Sequence, residues 1–399
     1  PLYSSAASDV YKRQDLYKII IQYSGYMSTQ SNRLLALDVI RGITIAGMIL
    51  VNNPGSWQSV YAPLKHAQWN GLTPTDLVFP FFMFIMGVAI HFSLHKFEKL
   101  DAAVSMKIIR RTVALFVVGI ALDCFSKLCY GTFSLENLRI LGVMQRLALA
   151  YAGGALLAII VPKKYYLSVA GGILLLYVGL LQGFNGYIHS ADNLIAIIDV
   201  KLLGASHLIK EAADGGSFAF EPEGLLSTIP CWAHVLLGTY VGSLITNTGE
   251  NRERVRKIAL FGTVLLFVGF LLQYLDPINK KLWTSSYTLV TCGAASLLLA
   301  LLIDIIDVRQ RKGWSRFFEA FGVNPLFMYC VGWIASVLFS LSFIPWNDRL
   351  ISIRGLLYNQ TLQPLLGDYL GSFIYALIFI IIIWGCGYIL YRKRIYIKL

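Results

Sequence analysis

The sequence predicts an all-α, polytopic membrane protein with about ten transmembrane helices. Three observations carry that prediction. Of 399 residues, 56% are hydrophobic and 14% charged, with a mean hydropathy of +0.63, far from the balance of a soluble domain. The apolar residues gather in blocks close to the ~20 residues that a spanning helix needs. The Lys and Arg residues behind the net charge of +12 sit mostly in short connectors between those blocks, as topogenic charge does. That placement argues against nucleic acid as a partner.

The six cysteines, Cys124, Cys129, Cys231, Cys292, Cys330 and Cys386, show no C-x-x-C spacing and fall mostly inside apolar blocks. They read as small core residues, with Cys124 and Cys129 the one pair placed where a bridge is conceivable. No zinc or other metal site is expected. Residues 1–26 carry neither a signal-peptide core nor an amphipathic period. They resemble translated adapter sequence, so the natural start is expected at Met27, with a single domain over 27–399.

Block one, 34–51, holds Asp38 and Arg41, which share a helix face and can pair. Ionisable residues at such depth either serve function or fix helix packing as an ion pair. A polar loop follows with Asn52, Asn53 and Trp57. It ends in Leu64-Lys65-His66-Ala67-Gln68-Trp69-Asn70-Gly71-Leu72-Thr73. Block two, 74–94, starts on Thr73, Pro74 and Asp76, the pattern of an N-cap, a first-turn proline and an acid at the third position. Asp76 therefore reads as a helix-start residue rather than a catalytic acid, and Pro80 is expected to kink the helix.

Block three ends near residue 125, and block four, 140–161, carries Gln145 and Arg146. Lys163-Lys164 turns the chain into block five, 165–184. The segment 185–222 reads as a long irregular loop with His189 and His207, and loops of that length are usually functional or mobile. Glu221-Pro222-Glu223 opens block six, to 245. Block seven runs to 275, block eight spans 285–306, and block nine, 317–339, is interrupted at Gly322-Val323-Asn324-Pro325. A loop over 340–371 leads to block ten.

Alternate connectors hold nineteen Lys and Arg on one side against nine on the other. The richer side is expected to be cytoplasmic. Ten crossings then put both termini inside, and His66 outside with the 185–222 and 340–371 segments. Histidine changes charge near neutral pH and suits proton or acyl transfer at such an edge. From spacing alone, a loop histidine that hydrogen-bonds its surroundings is the plainer reading. No internal repeat is visible, which weakens a transporter built on repeated halves.

Several motifs together resemble one known family. Leu37-Asp38-Val39-Ile40-Arg41-Gly42, Val51-Asn52, Lys65 to Thr73 and Phe84-Ile85-Met86-Gly87 are similar to the heparan-α-glucosaminide N-acetyltransferase family. Gly142-Val143-Met144-Gln145-Arg146-Leu147, Pro222-Glu223-Gly224-Leu225-Leu226 and Gly322-Val323-Asn324-Pro325 follow in the family's order. The resemblance covers Arg33 to Leu399 and is most specific around His66. It implies transfer of acetyl from cytosolic acetyl-CoA to the amino group of a glucosamine-type sugar or glycan on the far side of a lipid bilayer. His66 corresponds to the active histidine. The chain looks like a bacterial relative without the animal protein's extra N-terminal portion, which implies an inner-membrane protein with its His66 loop in the periplasm. A homodimer is a further expectation.

On that reading a neutral imidazole acts as general base, typically contributing about 10²–10⁴-fold, or carries the acetyl group itself. Asn52 and Asn70 are the candidates for polarising the thioester. Asp38, Arg41, Gln145, Arg146, Glu223 and Asn324 are the candidate binding residues, with Arg41, Arg146 and Asn324 lining a route through the ~30 Å apolar layer. The rivals are a permease for amino sugars or cell-wall fragments, and a polysaccharide O-acetyltransferase.

Overall fold

The hydrophobic blocks become helices in the structure, a computed structural model that describes residues 34–97, 99–213 and 216–397. The expectations for residues 1–26 and Met27 lie outside those residues, as do Arg33 and Lys398. The chain divides into two compact units, of which the first, Pro1–Leu35, contributes Leu34 and Leu35 to the described residues. The second unit, Ala36–Leu399, carries the architecture below.

Helix α1 spans Leu35–Asn52, α2 Val78–Leu94, α3 Ala102–Cys129, α4 Val143–Ile160 and α5 Tyr166–Gly183. After the short α6 (Leu194–Leu203) come α7 (Ile229–Asn247), α8 (Asn251–Leu272) and α9 (Ser285–Leu302). The chain ends in α10 (Ser315–Gly322), α11 (Pro325–Ser340) and α12 (Asp368–Arg392). Among the described residues nine helices are long and apolar enough to cross a membrane, or ten when α10 and α11 count as one broken span. That pair bends by 86° at the break expected between Gly322 and Pro325.

The start of α2 follows its sequence signals closely. Thr73 and Asp76 form a reciprocal capping box, and Pro74 opens a 3₁₀ turn over Pro74–Leu77. Pro80 sits in the first turn of α2, and the Asp76 carbonyl, four residues back, accepts from the Tyr287 hydroxyl in place of the N–H that proline lacks.

Helices α1, α2, α7 and α9 form the buried interior, whereas α3 and α8 leave most of their residues exposed. The exposed stripe on α3 is apolar (Ile109, Val113, Val117), as is that on α8 (Leu260, Val264, Phe267, Leu271), the arrangement a lipid-facing helix requires. Inside, small residues set the crossings. A Cβ on Gly87 of α2 would collide with the Val235 carbonyl of α7, and one on Gly238 with the Phe84 carbonyl. Close approach of this kind lets helices pack without a hydrophobic drive between them.

Two expectations change here. Cys124 and Cys129 are both free thiols. Five residues apart on one helix, they point about 140° apart around its axis and cannot be bridged. The segments read as irregular loops are partly ordered. The first contains α6 and an antiparallel hairpin of β1 (Ile209–Ala213) and β2 (Gly216–Phe220), in register Ile209 to Phe220. The second contains β3 (Ser342–Trp346), β4 (Arg349–Ser352) and a π-helical stretch over Gly355–Leu362. Such short strands escape a reading by hydropathy because their alternation covers only four or five residues.

The connectors expected on the side of His66 do gather at one end of the helices. The Trp69 indole donates to the Tyr187 carbonyl at 3.0 Å, and His207 Nδ1 lies 2.7 Å from the Leu138 carbonyl. The Ser56 amide donates to Ser372 Oγ at 3.1 Å. At the opposite end the Ala36 amide donates to Asp307 at 3.3 Å, and the Asn324 amide group donates to the Ile395 carbonyl at 2.8 Å.

Candidate active site

His66 is held by the residue that caps the next helix. Its Nδ1 lies 2.6 Å from Oδ1 of Asp76, whose carboxylate is fully buried at the start of the 3₁₀ turn. The second oxygen, Oδ2, accepts from the Ala67 amide at 3.1 Å, the Thr73 amide at 3.1 Å and the Thr73 hydroxyl at 2.9 Å. Tyr287 of α9 donates to the Asp76 backbone carbonyl at 2.6 Å. One carboxylate thus closes the capping box with one oxygen and orients an imidazole with the other. A histidine whose Nδ1–H is held by a buried carboxylate keeps the lone pair of Nε2 for chemistry. The His66 side chain is 45% exposed.

Lys280 completes the cluster from the connector between α8 and α9. Its Nζ lies 3.1 Å from His66 Nδ1, 3.5 Å from His66 Nε2 and 3.5 Å from Asp76 Oδ1. Burial pulls the ammonium pKa down, and Asp76 and Glu223 pull it back. The connector is rigidly tied. Asp276 accepts from the Ser286 amide and from the Tyr187 hydroxyl, both at 2.7 Å. The side chain of Asn279 accepts from the Leu282 amide at 2.9 Å and donates to Oδ1 of Asn70 at 3.1 Å. The Gly71 amide donates to the Ile278 carbonyl at 2.8 Å. The His66 loop and the 273–284 connector are therefore one piece.

Beside them lies a second charged group. Arg139 donates to Glu221 at 2.9 Å through Nε and to Glu223 at 2.7 Å. Burial pushes the Glu221 carboxyl up, against the pull of Arg139. Arg146 reaches the Gly224 carbonyl at 3.4 Å, bonds the Ser227 hydroxyl, and lies over the Trp283 ring at 5.0 Å. Asp199 accepts from the Leu225 amide at 3.0 Å, and burial pushes its carboxyl up to about 6. Replacing Arg139 with Met strands Glu221, which is fully buried. The expected loss is about 3 kcal/mol, the lower end for a broken buried pair, because Arg139 is itself 29% exposed. A denaturant titration of the two proteins checks it.

A cavity of about 410 Å³ opens next to this group, lined by Asn52, Asn53, Trp57, Arg139, Tyr329 and Arg354 among others. His66 is not among its lining side chains.

The expected site residues separate into two sets. At the His66 end stand His66, Asn70, Arg146 and Glu223. Asn52 is there on the cavity wall, and Gln145 lies beside Arg139 in a smaller pocket. At the opposite end, Arg41 donates to Asp38 at 2.9 Å. Asn324 is committed to the chain's last residues, donating to the Ile395 carbonyl and accepting from the Ile397 amide, each at 2.8 Å. Among the described residues no three His, Cys, Asp or Glu side chains converge as metal ligands.

Sequence reasoning missed Asp76, Lys280, Arg139 and Glu221 as parts of the site. Asp76 reads as a capping residue, and the two cations read as connector charge. A usable signal was present in Asp276-Pro277-Ile278-Asn279-Lys280-Lys281, an unusually polar run for a short connector.

Residues 33–276 match the family profile described as heparan-alpha-glucosaminide N-acetyltransferase, catalytic. Two curated proteins named heparan-alpha-glucosaminide N-acetyltransferase are similar. The Mus musculus protein is 27% identical over 354 residues, 75% of this chain and 53% of its own length. The Homo sapiens protein is 27% identical over 432 aligned residues, 94% of this chain and 61% of its own length. The chain thus spans between half and two thirds of these relatives. With the profile covering more than half of its residues, the chain belongs to the heparan-alpha-glucosaminide N-acetyltransferase catalytic family.

Proposed function

We propose that this protein is a transmembrane acetyltransferase. It moves acetyl from acetyl-CoA, supplied at one membrane face, to the amino group of a glucosamine-type sugar at the face that carries His66. The observation that carries the reading is the His66–Asp76 pair at 2.6 Å, on an imidazole side chain that is 45% exposed. Family membership and the names of the relatives support it.

N-acetylation needs an unprotonated amine, an activated thioester and a place for the oxyanion. Nε2 takes the proton of the sugar ammonium as general base, or attacks the thioester and holds the acetyl group between two half-reactions. In either route the acetyl carbon bonds to nitrogen and the coenzyme thiolate leaves; of the two protons the ammonium gives up, one ends on sulfur and the other passes through Nε2 to water. Asp76 stabilises the imidazolium formed on the way. Asn70, whose carbonyl oxygen accepts from Asn279, supplies a neutral amide to polarise the thioester. Asn52 and Arg139 line the neighbouring cavity and hold substrate there, with Gln145, Arg146 and Glu223 behind them. Asp38, Arg41 and Asn324 serve the donor's entry from the opposite, cytoplasmic end, where the basic connectors lie.

Proteoliposomes given labelled acetyl-CoA on one side and glucosamine on the other test this. The expected product is acetyl on the sugar nitrogen. Unmodified sugar accumulating inside would instead mark a permease, and an ester product would mark an O-acetyltransferase.

A further inference from the structure

Lys280 is not needed to hold the His66 loop. That loop is already fixed by the four hydrogen bonds on Asp76 and by the Gly71 and Asn70 links to the 273–284 connector. Yet its ammonium lies against the imidazole, 3.1 Å from Nδ1 and 3.5 Å from Nε2. Nδ1 is occupied by Asp76, so Lys280 gains no hydrogen bond from the ring there. A surface lysine would turn to water. This one is held in place by a connector tied at Asp276, Asn279 and Thr284.

We infer that Lys280 is a further catalytic residue, the hydrogen-bond donor that receives the carbonyl oxygen of the acyl group reacting at His66 Nε2. The inference rests on the reading of His66 as the acyl-transfer residue. When Nε2, or an amine whose proton Nε2 takes, attacks a carbonyl carbon, the new C–N bond forms and the carbonyl π pair moves onto oxygen. That oxyanion returns the pair as the C–S bond breaks and the thiolate leaves. The oxygen is one bond removed from a carbon at Nε2, within reach of an ammonium 3.5 Å from that nitrogen. A donor aimed in advance at developing charge needs no reorganisation at the moment of reaction and so contributes more than the same donor in solution. Asp76 and Glu223 are the anions near Lys280, and Arg146 is the neighbouring cation. The lysine charge is thus balanced without being fully quenched, as Asp76 already serves His66, Ala67 and Thr73. The role expected of the neutral amides of Asn52 and Asn70 passes in larger part to a cation.

The test uses the full chain in nanodiscs, with Lys280→Met and Lys280→Arg. The first readout is the rate at which diethyl pyrocarbonate acylates His66, followed by peptide mass spectrometry. This reagent passes through the same kind of oxyanion on the imidazole and needs neither coenzyme nor sugar. Lys280→Met is expected to slow labelling of His66 by about 10²–10³-fold, the usual cost of one oxyanion donor, with Lys280→Arg restoring most of the rate. Labelling of His207, whose partner is the Leu138 carbonyl, should not change and reports an intact fold. Should Lys280→Met misfold, Lys280→Gln takes its place: it keeps a polar side chain but loses the charge, so slowed labelling of His66 is expected and a native rate overturns the inference.

The second readout is acetyl transfer, where kcat is expected to fall with KM little changed. His66 labelled as fast in Lys280→Met as in the native chain overturns the inference, even if the native chain transfers acetyl. A native chain without acetyl transfer but with the labelling difference intact overturns the proposed function and leaves Lys280 in its role.

Discussion

Alanine in place of His66 is expected to remove acetyl transfer while coenzyme A binding stays near its native strength. Losing a general base costs about 10²–10⁴-fold, and losing an acetyl carrier costs the whole two-step route. The side chain is half exposed and contributes one hydrogen bond to a buried acid, so the fold should tolerate its removal. Asp76 keeps the Ala67 and Thr73 donors and its ion pair with Lys280 at 3.5 Å. Turnover with labelled acetyl-CoA and a calorimetric titration with coenzyme A separate the two effects. Turnover at the native level would remove His66 from the mechanism.

Asparagine at position 76 should be nearly as damaging, for a reason the geometry makes specific. Oδ2 of Asp76 receives two amide N–H groups and a hydroxyl, so an asparagine must turn its carbonyl oxygen to that side. Its NH₂ group then faces His66 Nδ1, which becomes an acceptor, and the proton moves to Nε2. The lone pair needed for transfer is lost while the shape of the site survives. In catalytic triads the same carboxylate-to-amide change lowers kcat by about 10⁴-fold, and a loss of that order is expected here. The melting temperature should fall far less than for Asp76→Ala, which also opens the capping box. Native kcat in Asp76→Asn would show that the carboxylate does not set the tautomer.

The local rules served well where the deciding neighbours are close in sequence. Thr73, Pro74 and Asp76 announced a helix start, and Gly322 to Pro325 announced a break. Both features are present. The same closeness misled at Asp76. A capping box explains the residue completely from three positions away, and the imidazole ten residues back leaves no mark on that pattern.

The sequence by itself determined that this is a helical membrane protein and roughly where its spans begin and end, and its motifs single out His66 as the candidate residue. Hydropathy needs about 20 consecutive residues and the family motifs need fewer, so both are written along the chain. Only the tertiary structure decided what His66 works with. Lys280 is 214 residues away, and Arg139 meets Glu221 across 82. A charge in a connector reads the same whether it steers topology or faces an imidazole. The distinction is made by helix packing, which gathers the connectors at one end and leaves Asp76 buried between them.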